Sequence, residues 1–135
     1  MGHLLYDLRT RRALIASAGI PNPLLYRAAT QTVDYLPLRG TPLCALIAEP
    51  SFDEVEVYLE PKDKLILFSD GLTEAGNEEG EFFGIPVSKL ANLIQKQGGL
   101  PAADLSAWLI QEWKRFRQGR QEDDCTLLIL ECLAA

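Results

Sequence analysis

Two groups of aspartates stand at the ends of the most apolar segments of this 135-residue chain. Asp70 comes directly after the apolar run at 65–68, and Asp123 and Asp124 come just before the strand-like run at 125–132. A carboxylate beside buried aliphatic side chains carries a desolvation cost, which a divalent cation offsets better than a surface lysine does. The arrangement therefore favours a cation site at the rim of a sheet.

The available ligands favour a hard cation. Carboxylates and water, with no histidine or cysteine ligand nearby, select Mg²⁺ or Mn²⁺ over zinc or copper. The single histidine, His3, lies at the terminus, and we interpret it as a cloning remnant. The three cysteines lack C-x-x-C spacing, so we expect reduced, buried thiols rather than a disulfide or a zinc site.

Each acidic group also has a purely structural interpretation. Asp70 and Gly71, lying between apolar runs, would make a hairpin turn, although residues 72–76 do not resume an alternating strand. Asp123 and Asp124 would form an exposed acidic loop leading into the last strand. Asp7 is predicted to be a turn former only.

Composition and charge exclude several classes of function. With 47% hydrophobic and 24% charged residues, the chain is expected to form one globular domain. A net charge of -6 leaves no excess of Lys and Arg for a phosphate backbone, so we expect no nucleic-acid partner. No stretch approaches the roughly 20 apolar residues of a membrane helix, and no export signal is recognisable, so we predict a cytoplasmic protein without membrane association.

The elements that must position the aspartates follow from the hydrophobic pattern. Short apolar runs separated by turn residues predict strands that pair sequentially and antiparallel, at 4–6, 13–18, 24–27 and 33–36. Strict alternation at 55–59 predicts a strand with one exposed face. The run at 65–68 is apolar on both alternating sets, so both faces of that strand should be covered.

Two helices and a last strand complete the pattern. Prolines at their starts, with Gly98 and Gly99 between them, predict helices at 86–97 and 101–118. The apolar stripe of the second helix, which needs a sheet or helix to cover it, consists of Leu105, Leu109, Trp113 and Phe116. With a final strand at 125–132, the sequence predicts an α+β fold of antiparallel β-sheet layers with two helices packed on one face.

The ordered combination of motifs resembles the second half of SpoIIE-like phosphatase domains of the PPM kind. The matching segments are Ala-Gly-Ile-Pro-Asn-Pro at 18–23, Gly-Thr-Pro-Leu at 40–43, Ser-Asp-Gly-Leu-Thr-Glu-Ala at 69–75, Phe-Gly at 83–84 and Asp-Asp-Cys-Thr-Leu at 123–127. The resemblance implies that residues 4–135 are the C-terminal portion of such a domain, part of an α-β-β-α sandwich whose N-terminal metal-binding portion is absent. Residues 1–3 are expected to be a remnant of cloning.

The resemblance also implies a site and a reaction. Asp70 and Asp123 match metal ligands of the family, with Gly71 and Asp124 beside the metal. Similar phosphatases hold two Mn²⁺ or Mg²⁺ ions, and a water bridging them attacks the phosphorus of phosphoserine or phosphothreonine, so no side chain acts as nucleophile. Nothing in residues 1–60 resembles the family's upstream Gly-Asp segment, so the site should be incomplete and the chain alone inactive or nearly so.

Other parts of the sequence leave alternatives open. The acidic segment that contains Glu74 and Asn77 is either a solvated, flexible loop or a substrate-docking or gating loop, because it directly follows the metal motif. The chain departs from the family at Ile20, commonly His, at Cys44, commonly Gly, and at Lys62, where a Pro-Gly-Asp turn is usual. These departures keep open a divergent or weakened member.

Two functions from different classes follow from the resemblance. In the first, the parent protein dephosphorylates a regulatory protein, expected to be a STAS-like anti-anti-sigma factor. In the second, the fold is a catalytically inactive module for protein-protein interaction or dimerisation in bacterial signalling. A strand face that an upstream half would cover is open in either case, so we expect a homo-oligomer or a domain-swapped assembly.

Overall fold

The structure is a computed structural model that describes residues 2–17, 21–36, 54–117 and 125–133. Within those residues it contains seven strands and three helices. The elements in chain order are β1 (Gly2–Asp7), β2 (Arg12–Ser17), β3 (Leu24–Arg27), β4 (Thr32–Tyr35), β5 (Glu54–Tyr58), β6 (Lys64–Phe68), α1 (Asp70–Thr73), α2 (Ser88–Gln97), α3 (Ala102–Arg117) and β7 (Leu127–Glu131). The strands form two antiparallel sheets, one in the order β1-β2-β5 and one in the order β4-β3-β6-β7.

The connection from β1 to β2 is a tight turn organised by an aspartate. The carboxylate of Asp7 accepts hydrogen bonds from the backbone N–H groups of Arg9 (2.8 Å) and Thr10 (3.3 Å). These two bonds stabilise the ionised form and lower the pKa of Asp7. The prediction that Asp7 forms a turn is confirmed.

Strand pairing differs from the sequential order that the short loops predict. β1 pairs with β2 and β3 with β4, as expected, but β2 pairs with β5 and β3 with β6. Ile15 of β2 and Leu25 of β3 belong to one buried cluster, contributed from two different sheets. Stacking the two sheets buries both side chains between them. If β2 and β3 were neighbours in one sheet, both side chains would lie on the same face of that sheet and would need another layer to cover them.

β6 lies between two hydrophobic cores. Leu65 contributes to the core between the two sheets, whereas Ile66 and Phe68 contribute to the core between the second sheet and the helices. The prediction that both faces of this strand are covered is confirmed. β5 also alternates as predicted, with Val57 buried and Glu56 exposed. Each fully buried aliphatic side chain contributes about 1.5–3 kcal/mol, so β6 is held from both sides.

Helices α2 and α3 cover the second sheet on one face. They begin at Ser88 and Ala102, a residue or two after the predicted starts, and α3 buries Leu105, Leu109 and Trp113 of its apolar stripe. The predicted α+β arrangement, with two helices on one face of antiparallel sheets, is confirmed. The short helix α1 was not expected from the sequence pattern.

Two smaller expectations also have an outcome in the described part of the chain. Cys132 is a buried free thiol, as predicted, whereas Cys125 is a free thiol that is only half-buried. No helix in the described ranges is long and apolar enough to cross a membrane. Ile20, Cys44 and the Gly-Thr-Pro-Leu segment at 40–43 lie outside the described residues, as do Asp123 and Asp124.

Candidate functional site

Asp70 is the first residue of α1, immediately beyond the end of β6. Ser69 between them has extended backbone angles (φ -93°, ψ 167°), and its carbonyl accepts a hydrogen bond from the N–H of Leu72 (3.1 Å). The chain therefore turns from a strand into a helix at this point. The alternative of a hairpin turn at Asp70 and Gly71 is wrong, because β6 pairs with β3 and β7 and not with the segment that follows it.

The Asp70 carboxylate is exposed and has no partner within the described ranges. Its backbone carbonyl accepts hydrogen bonds from the N–H of Glu74 (2.8 Å) and the hydroxyl of Thr73 (3.3 Å). The backbone of Asp70 is thus fixed while both oxygens of its side chain remain available. That is the state expected of a carboxylate that binds a cation from solution.

The segment from 69 to 75 is held in place by two separate contacts. The indole N–H of Trp113 in α3 donates to the carbonyl of Gly71 (3.1 Å). The N–H of Gly84 donates to the carbonyl of Thr73 (3.0 Å), and a Cβ on Gly84 would lie 2.8 Å from the Thr73 methyl carbon. The close approach explains why glycine follows Phe83 in the Phe-Gly motif.

The end of β6 is also joined to the start of β7. The N–H of Ser69 donates to the carbonyl of Thr126 (3.0 Å), and the Ser69 hydroxyl accepts from the N–H of Thr126 (2.9 Å). These bonds extend the strand register of Phe68 opposite Leu127 by one residue. The chain that enters β7 therefore arrives beside Asp70.

Cys125, directly before Thr126, occupies a half-buried position at this end of the sheet. Burial raises the pKa of its thiol, and the positive charge of Arg117 partly opposes that rise. The predicted ligand Asp123 and its neighbour Asp124 precede Cys125 in the chain and lie outside the described residues. Of the predicted pair of ligands, the structure thus places Asp70.

The acidic segment after α1 forms a compact turn. The Asn77 side-chain oxygen accepts hydrogen bonds from the N–H groups of Glu79 (2.9 Å) and Glu81 (3.0 Å), and Gly76 forms a β-bridge with Phe82. A hydrogen bond from Asn77 is the largest cause of the lowered pKa of Glu81. Asn77 therefore organises the turn. Glu74, four positions after Asp70, is exposed. A contact of Glu74 or Asn77 with a substrate stays a prediction.

The donors at this end suit a hard cation in type but not in number. No group of three or more His, Cys, Asp or Glu side chains within the described ranges is arranged so that it could hold a metal ion. The carboxylate oxygens of Asp70 are donors of the type that Mg²⁺ and Mn²⁺ prefer. A pair of bound ions would need further carboxylates.

Sequence reasoning missed two contacts on either side of Asp70: the hydrogen bond from Trp113 to Gly71 and the pair of hydrogen bonds between Ser69 and Thr126. Trp113 carried a usable signal, because a buried indole N–H needs a hydrogen-bond partner. The bond from Ser69 depends on the register of β7, which the sequence pattern does not specify.

The comparisons with known proteins agree with this fold. The family model described as Stage II sporulation protein E (SpoIIE) matches residues 1–133. The phosphatase domain of SpoIIE from Bacillus subtilis, in a structure described as Mn presoaked, is 22% identical with a TM-score of 0.72 and covers 100% of this chain. The SiaA-PP2C domain of Pseudomonas aeruginosa is 22% identical with a TM-score of 0.74 and covers 96% of this chain.

A third similar structure contains the RsbU and RsbW domains of a Mycobacterium tuberculosis protein, at 22% identity, a TM-score of 0.77 and 96% of this chain. Among curated proteins, none matches. This chain spans 57%, 50% and 35% of the three solved chains, respectively. At such identities these likenesses show the shared fold.

Proposed function

Because this chain belongs to the SpoIIE family, we propose that it supplies part of the metal centre of a phosphoprotein phosphatase, which hydrolyses phosphoserine or phosphothreonine. The proposed substrate is a regulatory protein, such as a STAS-like anti-anti-sigma factor, and the proposed location is the cytoplasm. The chain spans 57% and 50% of two similar phosphatase structures. Further carboxylates from outside this chain would therefore complete the centre.

One observation carries the proposal: the carboxylate of Asp70 is fixed through its backbone, exposed, and without a partner among the described residues. The aspartates that have a structural role in the described residues, Asp7 and Asp63, accept hydrogen bonds from their surroundings. The availability of both oxygens favours a ligand that is not a part of the described chain.

The pairing of Ser69 with Thr126 supports Asp123 as the second ligand. These residues are joined by two hydrogen bonds, and Asp123 precedes Thr126 by three positions in the sequence. Two peptide units separate Asp123 from the described Cys125, a reach of about 7 Å. Chain connectivity therefore permits Asp70 and Asp123 to share one ion, with Gly71 and Asp124 beside it.

Mn²⁺ and Mg²⁺ are the proposed ions, because the donors are carboxylates. When bound, such a pair of ions supplies an activated water and polarises the phosphoryl group. The role of this chain would be to hold Asp70 at the rim of the sheet, where a protein substrate can reach the bound ions. Glu74, beside it on the surface, would meet the substrate.

A second candidate function is an interaction module without catalysis. The outer side of the first sheet exposes Leu5 (56%) and Tyr58 (55%), which suits a contact with another chain or a homo-oligomer. The two candidates differ in what they require of Asp70, because an interaction module needs no cation there.

The test uses the full natural chain that contains these residues. We expect Mn²⁺-dependent hydrolysis of p-nitrophenyl phosphate and of a phosphoserine peptide, with a loss of about 100-fold or more in Asp70→Asn and in Asp123→Asn. Asp34→Asn, which removes an exposed carboxylate from β4, is the matched control and should retain activity. Absence of hydrolysis with every divalent ion would instead support the interaction module.

A further inference from the structure

The guanidinium of Arg117, the last residue of α3, stacks on the indole ring of Trp113 with its carbon 4.2 Å from the ring centre. Its Nε is buried and has no hydrogen-bond partner, and the group makes no ion pair within the described part of the chain. A buried guanidinium nitrogen without an acceptor carries an uncompensated desolvation cost. An anionic ligand would offset that cost.

The other arginines of the described strands and helices differ in this respect. Each pairs with a carboxylate: Arg12 with Glu56 (3.0 Å), Arg27 with Asp63 (2.8 Å) and Arg115 with Glu112 (2.7 Å). Arg115 lies two positions before Arg117 on the same last turn of α3. Arg117 therefore differs from the other arginines of the described strands and helices, and Arg115 offers a matched comparison.

A chain of direct contacts connects Arg117 to the site of Asp70. The guanidinium stacks on Trp113, and the indole N–H of Trp113 donates to the carbonyl of Gly71 (3.1 Å), the residue after Asp70. The guanidinium therefore lies at the end of the sheet where Asp70 stands.

A phosphate ester approaching this end meets the carboxylate of Asp70 in a chain of net charge -6. Beside the proposed metal ions, a positive side chain would add attraction for the ester, and a planar guanidinium can donate two parallel hydrogen bonds to phosphate oxygens. We propose that Arg117, oriented by its stacking on Trp113, is a substrate-binding residue that donates to the phosphoryl oxygens of the phosphoester. This inference rests on the proposed phosphatase function and adds a specific residue to it.

The experiment measures the binding of phosphoserine to the full natural chain by calorimetry, in Mg²⁺-containing buffer, beside the affinity for Mn²⁺ measured separately. In Arg117→Ala we expect the phosphoserine Kd to rise about tenfold or more, as for loss of a charge-assisted hydrogen bond. The phosphoserine Kd of Arg117→Lys should lie between those of the wild type and Arg117→Ala, because lysine keeps the charge but lacks the planar pair of donors. Arg115→Ala should change the Kd less than twofold, and the Mn²⁺ Kd should stay constant in every variant.

Three results would overturn the inference. One is an unchanged phosphoserine Kd in folded Arg117→Ala, with folding checked by thermal unfolding. Another is an equal rise in Arg115→Ala, which would indicate a general effect of positive charge. A third is a weakened Mn²⁺ affinity with unchanged phosphoserine binding, which would show that Arg117 orders the chain's own aspartates. Loss of phosphoserine binding in a protein that hydrolyses no phosphoester would retain the inference and reject the proposed reaction.

Discussion

An aspartate lies near each end of β6, and the two side chains differ in burial and in hydrogen bonding. Asp63, just before the strand, is 1% exposed and accepts hydrogen bonds from Arg27 (2.8 Å) and from the N–H groups of Ala28 (2.9 Å) and Glu60 (2.9 Å). Asp70, just after the strand, is exposed and has no side-chain partner in the described ranges. Asp63 is therefore a structural carboxylate, and Asp70 is available for chemistry.

The contrast teaches that burial and hydrogen bonding, rather than residue type or distance from a strand, separate structural from functional acids here. The fixed part of Asp70 is its backbone, held by Glu74, and the backbone of the next residue, held by Trp113. Because the backbone holds Asp70 in place, its carboxylate can bind a cation without breaking a hydrogen bond that stabilises the fold.

The largest expected effect is on stability, at Asp63. Asp63→Asn removes the buried negative charge that pairs with the guanidinium of Arg27. Because Arg27 then loses its ion pair, we expect the free energy of unfolding to fall by about 3 kcal/mol. Asp70→Asn should leave the urea midpoint unchanged, because its carboxylate stabilises nothing in the described structure. Urea unfolding followed by tryptophan fluorescence measures both. Equal losses in the two variants would abolish the distinction.

Gly84→Ala tests the packing beneath the Asp70 segment. The new methyl group would lie 2.8 Å from the Thr73 methyl carbon and 3.1 Å from its Cα, so we expect a loss of about 2 kcal/mol in the free energy of unfolding. Gly99→Ala has no heavy atom within 4 Å of the new carbon and serves as the control. A neutral Gly84→Ala variant would show that this contact does not hold the segment.

Trp113→Phe tests the hydrogen bond that fixes Gly71. Loss of this bond should lower the free energy of unfolding by about 1 kcal/mol more than Trp108→Phe does, since both changes remove the same ring volume. Trp108 is half-buried and makes no hydrogen bond in the described part of the chain. Thermal unfolding of the two variants provides the comparison. If Trp108→Phe is the more damaging change, the bond to Gly71 contributes little.

The smallest expected effect is a pH dependence at the opposite end of β6. Lys64 is 1% exposed, its ammonium donates to the carbonyl of Gly98 (2.7 Å), and burial lowers its pKa below the usual 10.5. Between the folded pKa and 10.5 the unfolded chain binds more protons, so this group makes stability rise with pH. The wild type should therefore gain stability relative to Lys64→Met from pH 7 to 10.5. Lys96→Met, exposed on α2, should show no such trend.

Much of the frame that positions Asp70 could be predicted from residue patterns. The run at 65–68 is apolar on both alternating sets, which indicates a strand between two layers, and a strand so placed presents the next residue at the rim. The pairing of β2 with β5 could not be predicted, because short loops and alternation also fit a simple meander. α1 was missed because four residues are too few to display a helical period.

The site itself could be predicted only as residue types. That Asp70 is exposed and unpartnered among the described residues, whereas Asp63 is buried and bonded three times, depends on tertiary contacts with Arg27, Ala28 and Glu60. Neither aspartate differs from the other in local sequence in a way that reveals this. The role of Asp123 stays a prediction from the motif.

The most direct measurement is a double-mutant cycle on Mn²⁺ affinity in the full natural chain, with Asp70→Asn, Asp123→Asn and the combined variant. If the two carboxylates bind one ion, each single change should weaken Mn²⁺ binding by about tenfold or more, and the double change should weaken it by much less than the product of the two. Independent, multiplicative losses, or an Mn²⁺ affinity that neither change alters, would contradict a shared metal site at this end of the sheet.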